Sequence, residues 1–303
     1  MRNLILSILF LQFSLISCSQ DATKKTFDKA VEFKKNGKYQ EALIEYDKVL
    51  VINPKFVNAL INRANVKSLL KDNNGAIADL NEAEKIDPSD PEIYYNRGNA
   101  EHDVTLYKEA IMDYDKAINL SSHEDYYLGR GNSKKAIGLY EEAISDYSKA
   151  ISINSNFTDA YYNRANAKQK TEDFLGAIED YGKAIETDPT KAESYMNRGN
   201  AKIRLQKFQE AISDFDSYIK MNPNSDVAYS NRGIANGGLK NNKKAISDYS
   251  KAIEINPNRA DSYFGRAGIK HSTGDKEGEC ADLKKAADLG YERAKNIYDK
   301  NCR

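Results

Sequence analysis

The sequence predicts an all-α fold, a right-handed α-solenoid of about eight helix-turn-helix repeats closed by a C-terminal capping helix, and three observations predict it. One arginine recurs at Arg63, Arg97, Arg130, Arg164, Arg198, Arg232 and Arg266, at five intervals of 34 residues and one of 33, the mark of stacked structural repeats. Around each arginine, small and apolar residues fall at helical spacing in two successive stretches. Proline recurs at one place in the repeat, as Pro54, Pro88, Pro189, Pro223 and Pro257, where it ends one helix and lets the next begin. Composition agrees. An apolar fraction of 40%, or about 46% with the 17 glycines, lies in the usual globular range and argues against a disordered chain, while a mean hydropathy of -0.71 suits a thin, surface-rich architecture. The 45 basic and 45 acidic side chains balance, which argues against a nucleic-acid binder or a polybasic membrane-surface protein.

The elements follow in chain order. Arg2 precedes thirteen almost wholly apolar residues, Leu4 to Ile16, too few for the ~20 of a membrane-spanning helix. Residues 1–17 therefore read as a signal peptide. Leu15-Ile16-Ser17-Cys18 resembles the bacterial lipobox, which implies cleavage before Cys18, lipidation of Cys18, and a short linker over 18–24. An ordinary signal peptide cut near Ser19-Gln20 and an uncleaved apolar anchor are the alternatives. The resemblance implies a lipid-anchored protein of the bacterial cell envelope. Ser19 in place of Asp favours the outer over the inner membrane, and a periplasmic protein follows if no lipid is attached.

Stepping back 34 residues from Arg63 lands on Lys29, a divergent first copy, so eight copies fill 25–290. Counted from this register residue, offsets -3, +1 and +4 share one helical stripe. Offset -3 holds Tyr94, Tyr127, Tyr161, Tyr195, Tyr229 and Tyr263, and offset +1 is Gly or Ala, as in Gly98, Ala165 and Gly199. A large ring beside a minimal side chain is expected to let a second helix approach. That helix starts about ten residues on, with apolar residues such as Ala143, Ile144, Tyr147, Ala150 and Ile151 at helical spacing. The period, the Tyr, Gly/Ala and Pro positions, and the series Ala42, Ala76, Ala110, Ala143, Ala177, Ala211 and Ala245 together resemble the tetratricopeptide repeat. Ser122 and Ser155 stand where proline is expected, and Glu279 where the small alanine should be. The glutamate suggests that the eighth pair packs differently and ends the stack.

The family usually has an aliphatic residue where this chain has its arginine. Offset +16 is acidic throughout: Asp79, Asp113, Asp146, Asp180, Asp214, Asp248 and Asp282, with Glu45 opposite Lys29. The shorter base thus meets the longer acid, as a helix-to-helix ion pair would tolerate. The expectation is a ladder of structural ion pairs, and the alternative is separate solvated charges copied by duplication.

Opposite the packing stripe, offset -1 holds Asn62, Asn96, Asn163, Asn197 and Asn231, and offset +2 holds Asn65, Asn99, Asn132, Asn166 and Asn200. An amide offers both donor and acceptor and can match a peptide unit. The row resembles the asparagine ladder of the nucleocytoplasmic glycosyltransferase that modifies serine and threonine, which implies binding of an extended peptide backbone in a concave groove. Inheritance by duplication without a ligand is the alternative. The row stops at Ile234, Gly265 and Gly268, so copies two to six are the expected binding stretch. It does not resemble the chaperone-binding carboxylate clamp, because Ile61, Tyr95, Leu128, Tyr162 and Met196 occupy a position that would need lysine. Glu92, Asp125, Asp159, Glu193 and Asp261 at offset -5 give the groove an acidic edge that would favour basic ligands, although helix N-termini attract acids regardless. Gly237-Gly238 reads as either a soft point or a tolerated flaw.

With Cys18 lipidated, Cys280 and Cys302 remain as an even pair, and in an oxidising compartment they are expected to form a disulfide stapling a capping helix within 291–303. The alternative is a small buried hydrophobe and a frayed end. His102, His123 and His271 lie in different copies without metal-ligand spacing, and no nucleophile elbow, phosphate loop or zinc-protease motif occurs. The chain reads as a non-enzyme with no cofactor, metal or small-molecule substrate. It is expected to be a protein-protein interaction scaffold of the envelope, or an assembly factor or accessory subunit acting through its convex face or self-association.

Overall fold

A computed structural model describes residues 21–302, and among these it contains seventeen α-helices and no strand. The signal-peptide segment and Cys18 lie outside the described residues. The helices fall into two units. The first holds α1 (21–35), α2 (Tyr39–Ile52), α3 (Val57–Leu69), α4 (Asn73–Ile86), α5 (Pro91–Asp103), α6 (Tyr107–Leu120), α7 (Glu124–Ala136) and α8 (Tyr140–Ile153). The second holds α9 (Thr158–Lys170), α10 (Phe174–Thr187), α11 (Ala192–Arg204), α12 (Phe208–Met221), α13 (Asp226–Gly238), α14 (Asn242–Ile255), α15 (Ala260–Thr273), α16 (Lys276–Asp288) and α17 (Glu292–Asn301). The chain is an all-α solenoid of helix-turn-helix repeats, odd-numbered helices being the first of each pair and even-numbered ones the second.

Two kinds of turn set this rhythm. Between first and second helix the chain passes through the left-handed region at offset +8, using Gly37, Gly138 and Gly274 but also Lys71, Thr105, Glu172, Gln206 and Lys240. Between pairs, an Asx turn precedes the proline: Asp87 accepts from the Ser89 amide at 3.0 Å and Asp188 from the Thr190 amide at 2.9 Å. Asn154 makes the same turn toward Asn156 with Ser155 in place of proline.

Packing is built on alanine. The series from Ala42 to Ala245 is fully buried, and side chains this small let backbones approach while burying little apolar area, which accounts for the low hydropathy. The space beside the residue at offset +1 is filled differently from the sequence expectation. A Cβ on Gly98 would lie 3.0 Å from the Tyr114 ring, and one on Gly199 2.8 Å from the Phe215 ring. The second helix therefore supplies the ring, and the tyrosine at offset -3 lies beneath the arginine of its own helix, with guanidinium-to-ring distances of 5.3–5.8 Å. At Gly237 and Gly238 the space is filled. Helix α13 runs through both, and Ile269 and the Phe208 ring occupy the places their Cβ atoms would take.

Within each unit, a first helix packs on the next first helix as well as on its own partner (α3 on α5 and α5 on α7; α9 on α11, α11 on α13 and α13 on α15), and second helices do not pair in this way to the same extent. Each unit therefore presents its first helices as the converging face. At the C-terminal end α17 packs on α16, and a disulfide joins Cys280 to Cys302 across a Cα separation of 5.6 Å. Glu279 is buried there and accepts from Lys276 at 3.2 Å, with His271 Nδ1 at 3.1 Å.

Candidate functional site

The arginines and their buried acids tie together the two helices of each repeat. Every arginine meets its acid at 2.5–2.7 Å: Arg63 with Asp79, Arg97 with Asp113, Arg130 with Asp146, Arg164 with Asp180, Arg198 with Asp214, Arg232 with Asp248 and Arg266 with Asp282. Lys29 meets Glu45 at 2.9 Å. Two further contacts were not legible from the arginine series. Lysines one turn on, Lys67, Lys134, Lys168, Lys202 and Lys270, reach the same acids at 2.8–2.9 Å. Several arginines also reach back to the preceding second helix, Arg63 to Asp47 at 2.7 Å and Arg232 to Asp216 at 2.6 Å. The arginine thus joins neighbouring repeats as well as the two helices of one. Burial alone would lower the Arg63 and Arg232 pKa values, but the hydrogen bonds they donate to their acids, with the attraction of those charges, outweigh it and hold them raised.

Copy three departs from this pattern. Glu101 occupies the lysine's place on α5, is buried, and leaves Oε2 without a partner. Burial first and the charge of Asp113 second push its carboxyl up to about 7. In copy seven, Asn236 takes the place and donates to Asp248 at 2.8 Å.

On the converging faces all the asparagines from Asn62 to Asn231 are half-buried. Three of the five at offset +2 have a phenol partner: Tyr114 donates to Asn99 at 2.6 Å, Tyr147 to Asn132 at 2.9 Å and Tyr181 to Asn166 at 2.6 Å. Burial pushes these three phenols well above their ordinary pKa, so they remain protonated donors. In copy one the equivalent Tyr46 faces no asparagine, and its hydroxyl is buried without a partner. Offset -1 links successive copies, as Asn197 Nδ2 donates to Asn166 Oδ1 at 3.3 Å and Asn231 Nδ2 to Asn200 Oδ1 at 2.9 Å. Asn62 and Asn96 instead donate to backbone carbonyls of Asn58 and Glu92, at 2.8 and 2.7 Å. Asn65 and Asn163 lie on the same faces. Carbonyl oxygens are thus largely engaged, whereas the Nδ2 groups of Asn132, Asn166 and Asn200 donate to no acceptor among the described residues. At these three successive positions the face offers free donors.

The acidic edge is largely engaged by the chain itself. Asp159 is paired with Lys191, Asp261 with Arg259 at 2.9 Å, and Glu92 accepts from Tyr126 at 3.0 Å. Among the described residues no group of three or more His, Cys, Asp or Glu is placed to hold a metal, and no helix is long and apolar enough to cross a membrane.

Comparison with known proteins gives concordant results. A TPR repeat model matches residues 69–103 and 131–172, and two tetratricopeptide repeat models match 158–191 with 227–259, and 91–123 with 192–225. Together these span more than half of the chain. No curated protein matches it. Among solved structures, YrrB, described as a TPR protein with an unusual peptide-binding site, is 26% identical over 60% of this chain and 95% of its own, with a TM-score of 0.56. The C-terminal part of a TPR repeat-containing protein from Cytophaga hutchinsonii is 20% identical over 78% of this chain and 98% of its own, with a TM-score of 0.67. A tetratricopeptide repeat protein from Parabacteroides merdae is 20% identical over 82% and 99%, with a TM-score of 0.57.

Proposed function

We propose, for a chain that belongs to the tetratricopeptide repeat family, a non-catalytic scaffold that holds an extended segment of a partner protein along its first-helix faces. One observation carries this reading: half-buried asparagine amides recur on converging helices, and at Asn132, Asn166 and Asn200 the Nδ2 donor is unused. Donors repeated at the ~8–10 Å spacing of packed helices can take carbonyls about three residues apart along an extended peptide without reading its side chains. The likeness to YrrB, a protein described as binding peptide, supports it. Photo-reactive residues at positions 166 and 200 in intact cells should trap a partner, and the same group at Val51 on α2 should not.

A second reading, an assembly factor or accessory subunit acting through the second helices, is favoured by Val51. It is 82% exposed beside an open cavity of about 890 Å³ bordered by Leu50, Pro54, Leu60 and Ile86. Trapping at Val51 alone would support that reading instead.

The lipobox-like segment supports attachment of the scaffold to a bacterial envelope membrane through Cys18, with the outer membrane favoured. A disulfide-linked terminus suits the same oxidising compartment. Labelled palmitate should enter the wild-type protein and be lost on Cys18→Ser, together with membrane association.

A further inference from the structure

One corner of the first unit departs from the repeat. Lys29 meets Glu45 at 2.9 Å and the rings of Phe27 and Tyr46 lie 5.9 Å apart, so α1 and α2 run antiparallel, and the same register brings Asp21 level with the last turn of α2. Asp21 is three positions from Cys18, a reach of at most ~11 Å. At that last turn Val51 is 82% exposed and Ile52 46%, and Pro54 follows them, exposed as well. An aliphatic residue at the end of the second helix recurs as Ile86, Leu120 and Ile153 and belongs to the repeat. Val51 does not, because its place is held by Lys85, Asn119, Ser152, Glu186, Lys220 and Glu254 in copies two to seven. Copy one thus turns a polar position into an exposed apolar one. The charges around it are mostly matched: Lys48 pairs with Glu45, Lys85 with Glu82, and Arg63 with Asp47 and Asp79. Lys24 and Lys25 share α1 with Asp21 and Asp28, and Lys55 follows Pro54. What the corner offers is apolar surface, with little net charge.

We propose that Val51, Ile52 and Pro54 enter the surface of the bilayer to which Cys18 is anchored, so that the first unit stands with the C-terminal end of α2 against the membrane. This rests on the lipid-anchor reading and adds to it a second, apolar contact. A lipid on Cys18 brings this corner within reach of the bilayer, and the corner is where a polar position has become apolar. Acyl chains can also follow the open cavity bordered by Leu50, Leu60 and Ile86 without a matching shape. Val51 is thereby assigned to lipid and not to a protein partner.

The test uses the lipidated mature protein in phosphatidylcholine vesicles. With Cys18 acylated and Cys280 joined to Cys302, Val51→Cys, Ile44→Cys and Gln40→Cys each offer a single free thiol for a fluorophore. Ile44 is 55% exposed on α2, ~10 Å from Val51 along the helix, and Gln40 is exposed ~16 Å away near its start. Nitroxide groups on the lipid acyl chains should quench the label at 51 about fivefold more than the label at 40, with 44 between them. Val51→Glu installs the residue of copies five and seven, so it should fold, and it should reduce the quenching of a label on Lys55→Cys by about half. No quenching at 51, equal quenching at 51 and 40, or no effect of Val51→Glu would each overturn the proposal. In intact cells a photo-reactive group at 51 should give a lipid adduct, and a protein adduct there would overturn the proposal in favour of the second reading. If labelled palmitate enters at Cys18 and 51 stays unquenched, this inference falls while the anchor stands. If no palmitate enters, the anchor reading has failed and this inference falls with it.

Discussion

Replacing Asp214 by leucine should weaken α11 and α12 far more than removing either of its two bases, and copy six allows the magnitude to be worked out. Asp214 is 2% exposed and accepts from Arg198 at 2.6 Å and Lys202 at 2.9 Å. Stripping a buried pair of one partner costs ~3–5 kcal/mol, because a charge is left without compensation. The Arg198 side chain is 21% exposed and can recover some hydration, while that of Lys202 is 10% exposed and can recover little. The expected loss for Asp214→Leu is therefore about 3 kcal/mol, at the low end of that range. Arg198→Met leaves the acid with Lys202 and should cost about 1–2 kcal/mol. Stacked repeats open locally, so the assay is native-state amide exchange in α11 and α12, with α3 as internal reference. Asp214→Leu should speed exchange roughly a hundredfold. In Arg198→Met/Asp214→Leu the loss should fall short of the summed singles by at least ~1 kcal/mol. A loss under ~0.5 kcal/mol for Asp214→Leu, or strict additivity, would mean that these are solvated charges copied by duplication.

Four further outcomes are expected. Tyr181→Phe should cost about 1 kcal/mol through its lost bond to Asn166, whereas Tyr46→Phe should be neutral or stabilising, because the Tyr46 hydroxyl has no partner; thermal unfolding separates the two. Glu101 has a folded pKa of about 7, above the unfolded value, so its favourable contribution is complete below ~4.3 and disappears as pH rises through about 7. Stability near copy three should thus fall by about 2 kcal/mol between about pH 5 and about pH 8, a slope that Glu101→Lys should remove and that pH-dependent amide exchange would detect. Lys71→Gly and Glu172→Gly should each raise stability by about 0.5–1 kcal/mol, since both residues hold left-handed backbone at φ 68° and 63°; lower melting temperatures would contradict this. Cys302→Ser opens a link between residues 22 apart, a loss of about 3 kcal/mol in the chain-entropy account, and should make α17 the first site of proteolytic cutting.

The repeat was legible because duplication samples one design eight times, so the arginine period and the alanine series stood out above local variation. The pairing of Arg63 with Asp79 could be read as a covarying spacing. The lysine at Lys67 was harder to find, because Glu101 and Asn236 interrupt its series and its offset belongs to a stripe expected to be apolar. The ring that fills the space at Gly98 was assigned to the wrong helix for a related reason. Helical periodicity says which residues share a face, but not whether Tyr94 or Tyr114 enters a given gap, which depends on how the two helices cross. Val51 went unnoticed because it breaks its series instead of continuing one, and only the fold shows how far it is exposed.

The asparagines show why duplication and binding need not be rival explanations. In copies three, four and five a second-helix phenol donates to the offset +2 amide, and that bond alone gives these residues a structural purpose. Copy six has Phe215 in place of the tyrosine, so no phenol reaches Asn200, and the carbonyl of Asn200 turns to Asn231 of the following copy. Structural need within the repeat therefore does not account for Asn200. Copy two is similar, with Leu80 opposite Asn65. Asn200, however, also borders a cavity of about 370 Å³ lined by Phe174, Ile203 and Ile234. A partner requirement, if it acts anywhere on this face, should act most strongly there. Asn200→Ala should weaken partner capture with little change in stability, whereas Asn166→Ala should lower stability by leaving the Tyr181 hydroxyl buried and unpaired, at about 1–3 kcal/mol. Equal destabilisation by both changes, with partner capture untouched, would return the whole row to architecture.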